Sequence, residues 1–93
     1  MEEPYDPETA RELIRGILDG PGMTVFTKRA KEALMKSEMT SGDAVNVLRG
    51  GRIAKGVHAA SGWTYRAETS RMRVEFSFRP GELVIESAGR THR

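Results

Sequence analysis

The chain contains no cysteine. That single absence excludes disulfides, thiol nucleophiles and cysteine-ligated zinc together. Histidine is scarce: His58 and His92 stand alone, with no second histidine or carboxylate cluster at ligand spacing, so neither a metal nor a cofactor is expected. His58 remains a lone candidate for acid–base work, and His92 falls beside the C-terminus. No apolar run approaches the roughly 20 residues that a membrane helix needs. The opening Met1-Glu2-Glu3-Pro4 is acidic where a secretory signal is basic. A cytoplasmic protein without membrane contacts is the expectation. The glycine pairs Gly20-Pro21-Gly22 and Gly50-Gly51 lack the Lys-Ser/Thr of a phosphate loop and read as helix stops. Nucleophile-elbow, kinase and zinc-deaminase signatures are also missing.

What the chain does have is charge, unevenly spread. Fifteen Lys and Arg against thirteen Asp and Glu leave a net charge of +2. Residues 1–22 hold Glu2, Glu3, Asp6, Glu8, Glu12 and Asp19 against Arg11 and Arg15, a balance of −4, which leaves +6 for residues 23–93. An acidic arm and a basic body pose one question. Either the arm covers the body, or the body is open to an anionic partner. At 93 residues, one domain spanning 1–93 is expected, with residues 1–5 and 89–93 as flexible ends.

The first half reads as helices. Asp6-Pro7-Glu8 supplies an N-cap acid, a proline at the first helical position and an acid in the first turn. Ala10, Leu13, Ile14, Ile17 and Leu18 then recur on one helical face. Thr24-Val25-Phe26 suits an edge strand or a linker. Thr27 caps a second helix over about 28–37 that buries Ala30, Ala33 and Leu34. Thr40 and Asp43 outline a capping box for a third helix over 41–49, with Ala44, Val45, Val47 and Leu48 inward.

After Gly50-Gly51 the period changes to two. Residues 52–58 form a weak strand candidate and 59–62 a loop. Trp63, Tyr65 and Ala67 alternate with polar neighbours, as do Met72, Val74, Phe76 and Phe78. Arg79-Pro80-Gly81-Glu82 fits a type II turn into a last strand over 83–88. The class is therefore α+β: three helices followed by a three- or four-stranded antiparallel sheet. The turns place Phe78 opposite Leu83, Phe76 opposite Ile85, Val74 opposite Ser87, Ala67 opposite Val74 and Tyr65 opposite Phe76. Trp63, Tyr65, Ala67, Met72, Val74, Phe76, Phe78, Leu83 and Ile85 then share one face, on which the helices must pack. The other face pairs Glu68 with Arg73, Arg66 with Glu75, and Glu75 with Glu86. Because the aromatics fall on the core face, binding of single strands by base stacking has little support. Lys28 and Arg29 sit in the first turn of the second helix, where cations oppose the helix dipole, which hints at an external anion.

The stretch Phe26-Thr27-Lys28-Arg29-Ala30 through Gly51-Arg52-Ile53 resembles a bacterial family of small domains, domain-of-unknown-function family 4258. Its pattern runs Phe/Tyr-Thr-x-His-Ala, a short helix, then Asp-Val-x-x-Val/Ala-Leu-x-x-Gly-x-Ile and an antiparallel sheet. Here Met39 through Ile53 follow it, as do Trp63-Thr64-Tyr65-Arg66, Arg73-Val74-Glu75-Phe76 and Leu83-Val84-Ile85. The chain departs at Arg29, where the family has His, and at Glu38-Met39, where it has Arg-Gly. Arginine cannot act as a general base, so any proton transfer must come from elsewhere.

The layout is also similar to RelE-type and MqsR-type toxins of toxin–antitoxin pairs. This resemblance implies a toxin-like domain that binds or cleaves RNA without metal, in active or degenerate form, and an antitoxin-like protein partner. Arg66, Arg73, Glu75 and Tyr65 would be the catalytic candidates, and Lys28, Arg29, Arg52, Lys55 and Arg90 would hold RNA phosphates. The alternative is a non-catalytic interaction or oligomerisation module, a homodimer included, that makes contact through a strand edge and the amphipathic first helix.

Overall fold

The helices form where local chemistry asks for them. In the computed structural model, which describes residues 3–59 and 62–91, helix α1 spans Pro7–Asp19 and its N-cap Asp6 accepts the Thr9 N–H at 2.7 Å. Helix α2 spans Lys28–Lys36, and its cap Thr27 accepts the Ala30 N–H at 3.0 Å. Helix α3 spans Ser41–Gly50 behind a full capping box. Thr40 Oγ1 accepts the Asp43 N–H while the Asp43 carboxylate accepts the Thr40 N–H.

Six strands make one sheet: β1 (Met23–Phe26), β2 (Arg52–Ile53), β3 (Val57–Ala59), β4 (Gly62–Glu68), β5 (Met72–Arg79) and β6 (Glu82–Arg90). Their order is β1-β6-β5-β4-β2, with β3 beside the first half of β4. The α+β class holds, but the expected sheet of three or four antiparallel strands is corrected to six strands of mixed direction. Two causes account for the difference. Thr24-Val25-Phe26, read as edge strand or linker, is a strand that runs parallel to β6. The weak candidate over 52–58 is broken at Ala54-Lys55-Gly56 into β2 and β3, which pair with opposite halves of β4. β6 also continues to Arg90, into the stretch expected as a tail. His92 lies outside the described residues.

The meander register agrees with the turn argument at Phe78–Leu83, Phe76–Ile85, Ala67–Val74 and Tyr65–Phe76. It then slips by one. A β-bulge at Glu86 sets Glu75 opposite Ser87 and Val74 opposite Ala88, which corrects the expected Val74–Ser87 and Glu75–Glu86 pairs. Gly81 takes φ +71°, as the third position of a type II turn requires.

One face of the sheet is covered. Ile14 of α1, Ala30 and Leu34 of α2, and Val47 and Leu48 of α3 meet Tyr65, Val74, Phe76, Leu83 and Ile85 in a single buried cluster. Part of the apolar side of α1 is used in this contact: Ala10 and Ile14 are fully buried, and Leu13, Ile17 and Leu18 are half-buried. Arg11 ties α1 to the end of α3, donating to the Arg49 carbonyl at 2.7 Å and to the Gly51 carbonyl. Gly51 is required at this junction, because a Cβ there would stand 2.5 Å from the Val47 oxygen and 3.0 Å from the Glu68 oxygen.

Candidate functional site

The other face of the sheet carries the charge. Alternation along β4 and β5 turns Thr64, Arg66, Arg73 and Glu75 away from the core, and all four are exposed or half-buried. The register lines them up in two rows across the strands. One row reads Arg66, Glu75, Ser87, and the next reads Arg52, Glu68, Arg73, Gly89. Where β6 bulges, Glu86 has no residue opposite it on β5. Glu86 and Ser87 both border the open face there.

A groove of about 620 Å³ lies over this bulge. Its charged lining is Arg29, Lys55, Arg66, Glu75 and Glu86. The elements deliver these groups for separate reasons. Arg66 and Glu75 are cross-strand neighbours. Lys55 sits in the break between β2 and β3. Arg29 reaches the groove because α2 starts at the end of β1, where the Thr27 N–H donates to the Ile85 carbonyl and the Thr27 hydroxyl to that of Glu86. Among the described residues, none of the acidic arm lines the groove, and α1 packs on the helical side of the sheet. Among the described residues the one ion pair is Arg49–Asp19, at 2.8 Å on the helical side. It holds the Asp19 carboxyl below its ordinary range.

Of the candidate residues, Arg66, Glu75, Arg29, Lys55 and Tyr65 line this groove, Tyr65 with its side chain buried. The others are placed apart. Arg73 shares the open face, but its guanidinium lies over Gly89 and donates to the Arg90 carbonyl at 3.2 Å. Arg90 points to the end of α2, where it donates to the Ser37 carbonyl at 2.8 Å and the Glu38 carbonyl at 3.3 Å, a cation placed at a helix C-terminus. Lys28 and Arg52 are exposed outside the groove lining.

Tyr65 belongs to the covered face and is 1% exposed. Its hydroxyl accepts the Tyr5 N–H at 2.9 Å and donates to Glu3 Oε2 at 2.8 Å. Burial, reinforced by the Glu3 carboxylate and opposed by the Tyr5 N–H, pushes its pKa up to about 12. The ring stacks with Tyr5 at 6.3 Å and Phe76 at 5.7 Å, so its role here is to anchor residues 3–5 on the core. His58 stands edge-on to Trp63 at 5.0 Å, opposite it in the ladder and away from the groove. No group of three or more His, Asp or Glu side chains among the described residues could hold a metal ion.

Sequence reasoning does not single out Ser87, and it brings in Glu86 only as the cross-strand neighbour of Glu75, a carboxylate pair read as an arginine-bridged cluster ahead of an acid–base pair. Glu86-Ser87 are two polar residues in succession between the apolar Leu83-Val84-Ile85 and Ala88, at the place where the strand carries its extra residue. Comparison with known proteins gives no match, whether to a family model, to a curated protein or to a solved structure.

Proposed function

We propose that the open sheet face binds RNA and cleaves it without a metal ion. The observation that carries this reading is the composition of one groove. Arg29, Lys55 and Arg66 converge there with the carboxylates of Glu75 and Glu86. A surface that only bound a polyanion would gain nothing from two carboxylates at its centre. A site that makes a ribose hydroxyl attack its own phosphate needs both kinds of group. A carboxylate takes the 2′-OH proton as O2′ bonds to phosphorus, and the guanidiniums hold the charge that builds on the phosphoryl oxygens. The 5′ oxygen leaves with a proton from water in the open groove, giving a 2′,3′-cyclic phosphate and a 5′-hydroxyl end. Glu75, opposite Arg66, is the proton acceptor in this scheme, and Arg66 and Arg29 clamp the phosphate. The likeness of the layout to RelE-type and MqsR-type toxins supports this reading, and an antitoxin-like partner would cover this face.

The test is incubation of excess protein with RNA in EDTA. Cleavage to cyclic-phosphate ends is expected, with Glu75→Gln slowing it by about 10²–10⁴-fold. Arg66→Ala should weaken binding as well as cleavage, with a shallower salt dependence. RNA that stays intact while still bound would reduce the site to a binding surface. RNA that neither binds nor breaks would overturn the reading.

A further inference from the structure

A second cleft opens beside the groove, between the end of α2 and the last residues of β6. Its volume is about 450 Å³, and Lys36, Glu38, Arg73, Gly89 and Arg90 border it. Two arginines frame it. Glu38 turns the chain out of α2 at φ 54°, and the Arg90 guanidinium donates to the Ser37 carbonyl at 2.8 Å and the Glu38 carbonyl at 3.3 Å. From the open face, Arg73 crosses Gly89 and donates through Nη1 to the Arg90 carbonyl at 3.2 Å. This crossing needs a residue without a side chain, because a Cβ on Gly89 would stand 2.9 Å from that Nη1.

Backbone oxygens, not carboxylates, hold both arginines. Glu68 is opposite Arg73 in the ladder and Glu38 borders the cleft, yet among the described residues the one ion pair is Arg49–Asp19. The guanidinium of Arg73 therefore keeps its positive charge uncompensated. Its Nε and Nη2 make no hydrogen bond among the described residues. Planar paired donors of this kind match the oxygens of a phosphate, and Lys36 adds a third cation.

The cleft is in line with the groove. Arg29, Ala33 and Lys36 recur at i, i+4 and i+7 on one side of α2. Arg29 lines the groove, Ala33 and Lys36 line the cleft, and all three border one shallow hollow that joins them along the helix. On the sheet, Arg73 and Gly89 form the row next to Arg66, Glu75 and Ser87, roughly 7 Å away. That offset is close to the phosphate repeat of an extended single strand.

We propose that this cleft holds the RNA phosphate one nucleotide away from the phosphate in the groove, so that the substrate is an extended single strand of at least three nucleotides. The assignment rests on the reading of the groove as an RNA site. It divides the cations by task. Arg66 and Arg29 attend the phosphate beside Glu75, whereas Arg73, Lys36 and Arg90 hold its neighbour and fix the register of the strand.

Binding of 2′-O-methyl oligonucleotides tests this, since they lack the attacking hydroxyl and report binding apart from cleavage. A dinucleotide carries one bridging phosphate and a trinucleotide two. The trinucleotide should bind about tenfold more tightly, with a salt dependence steeper by about 0.7 in log–log slope, and should shift the amide resonance of Gly89. Arg73→Ala and Lys36→Ala should each remove most of that advantage. Gly89→Ala keeps every charge but displaces the Arg73 guanidinium, so it should do the same with unchanged circular dichroism. A trinucleotide that binds no more tightly than the dinucleotide, or an advantage that survives both Arg73→Ala and Gly89→Ala, overturns the assignment. Cleavage of longer RNA without such an advantage breaks this assignment alone. An advantage that Arg73→Ala removes, in a protein that leaves RNA intact, supports the cleft and breaks the cleavage reading of the groove instead.

Discussion

Phe76 and Glu75 are adjacent in β5 and live in different media. Phe76 is fully buried, stacked 5.7 Å from Tyr65 and edge-on to Phe78 at 5.6 Å. Glu75 faces an open groove that Arg29, Lys55 and Arg66 also line. The same alternation runs through Tyr65 and Arg66, and through Ile85 and Glu86. Two faces of one sheet therefore hold different kinds of information. The covered face is tightly constrained, because every atom removed there leaves a void. The open face is chemically rich and mechanically undemanding, so its charges are free to be chosen for a partner.

The sharpest way to break this comparison is to truncate neighbours. Phe76→Ala should cost about 3–5 kcal/mol in urea unfolding, whereas Glu75→Gln or Arg66→Ala should change stability by no more than about 0.5 kcal/mol. An equal loss from both faces would mean that the open face is structural. Gly51→Ala should come next, at about 1–3 kcal/mol, because its methyl group must displace the backbone of α3 or β4. Its circular dichroism should show whether the helical layer shifts.

Tyr65→Phe should cost about 1–2 kcal/mol, since it removes the hydroxyl that joins Glu3 to the Tyr5 N–H. It also carries a pH signature. The folded-state pKa of Tyr65 is raised to about 12 from an ordinary 10, so the neutral phenol is the form that the fold favours. Its contribution is complete below pH 10 and is lost as pH rises through 12. Unfolding midpoints measured from pH 9 to 12 should therefore fall more steeply for the wild type than for Tyr65→Phe. Thr40→Ala, which removes half of the capping box of α3, should cost about 1 kcal/mol. The smallest effect belongs to Asp6. Its hydrogen bond from the Thr9 backbone lowers its pKa, so its help to α1 is present above the ordinary carboxylate pKa of 3.8 and disappears as pH falls further. A pH series of wild type against Asp6→Ala should converge at the acid end.

Much of this fold was legible because its signals are local. Asp6, Thr27 and Thr40 mark three helix starts with side chains that bond to the backbone three residues on, and all three caps form. The two faces of the sheet follow from parity, which survives errors in the turns. What escaped was non-local or irregular. Nothing in Met23–Phe26 names a partner strand about sixty residues away. The bulge at Glu86 is a one-residue slip that parity counting from the Pro80-Gly81 turn passes over. Of the groove, Arg66 and Glu75 were visible as cross-strand neighbours, and Arg29 and Lys55 were visible as cations. That α2 and the β2–β3 break carry those two to the same place depends on tertiary packing alone.

The parallel pairing of β1 with β6 has a consequence for how this chain is made. β1 is the first strand of this sheet in chain order, yet its partner β6 comes after the other four. Until Glu82–Ile85 emerge, Met23–Phe26 has no ladder to join. Helices α1 to α3 close over local contacts and can form first. Completion of this sheet waits for β6, and a chain stalled before β6 holds β1 without its partner strand.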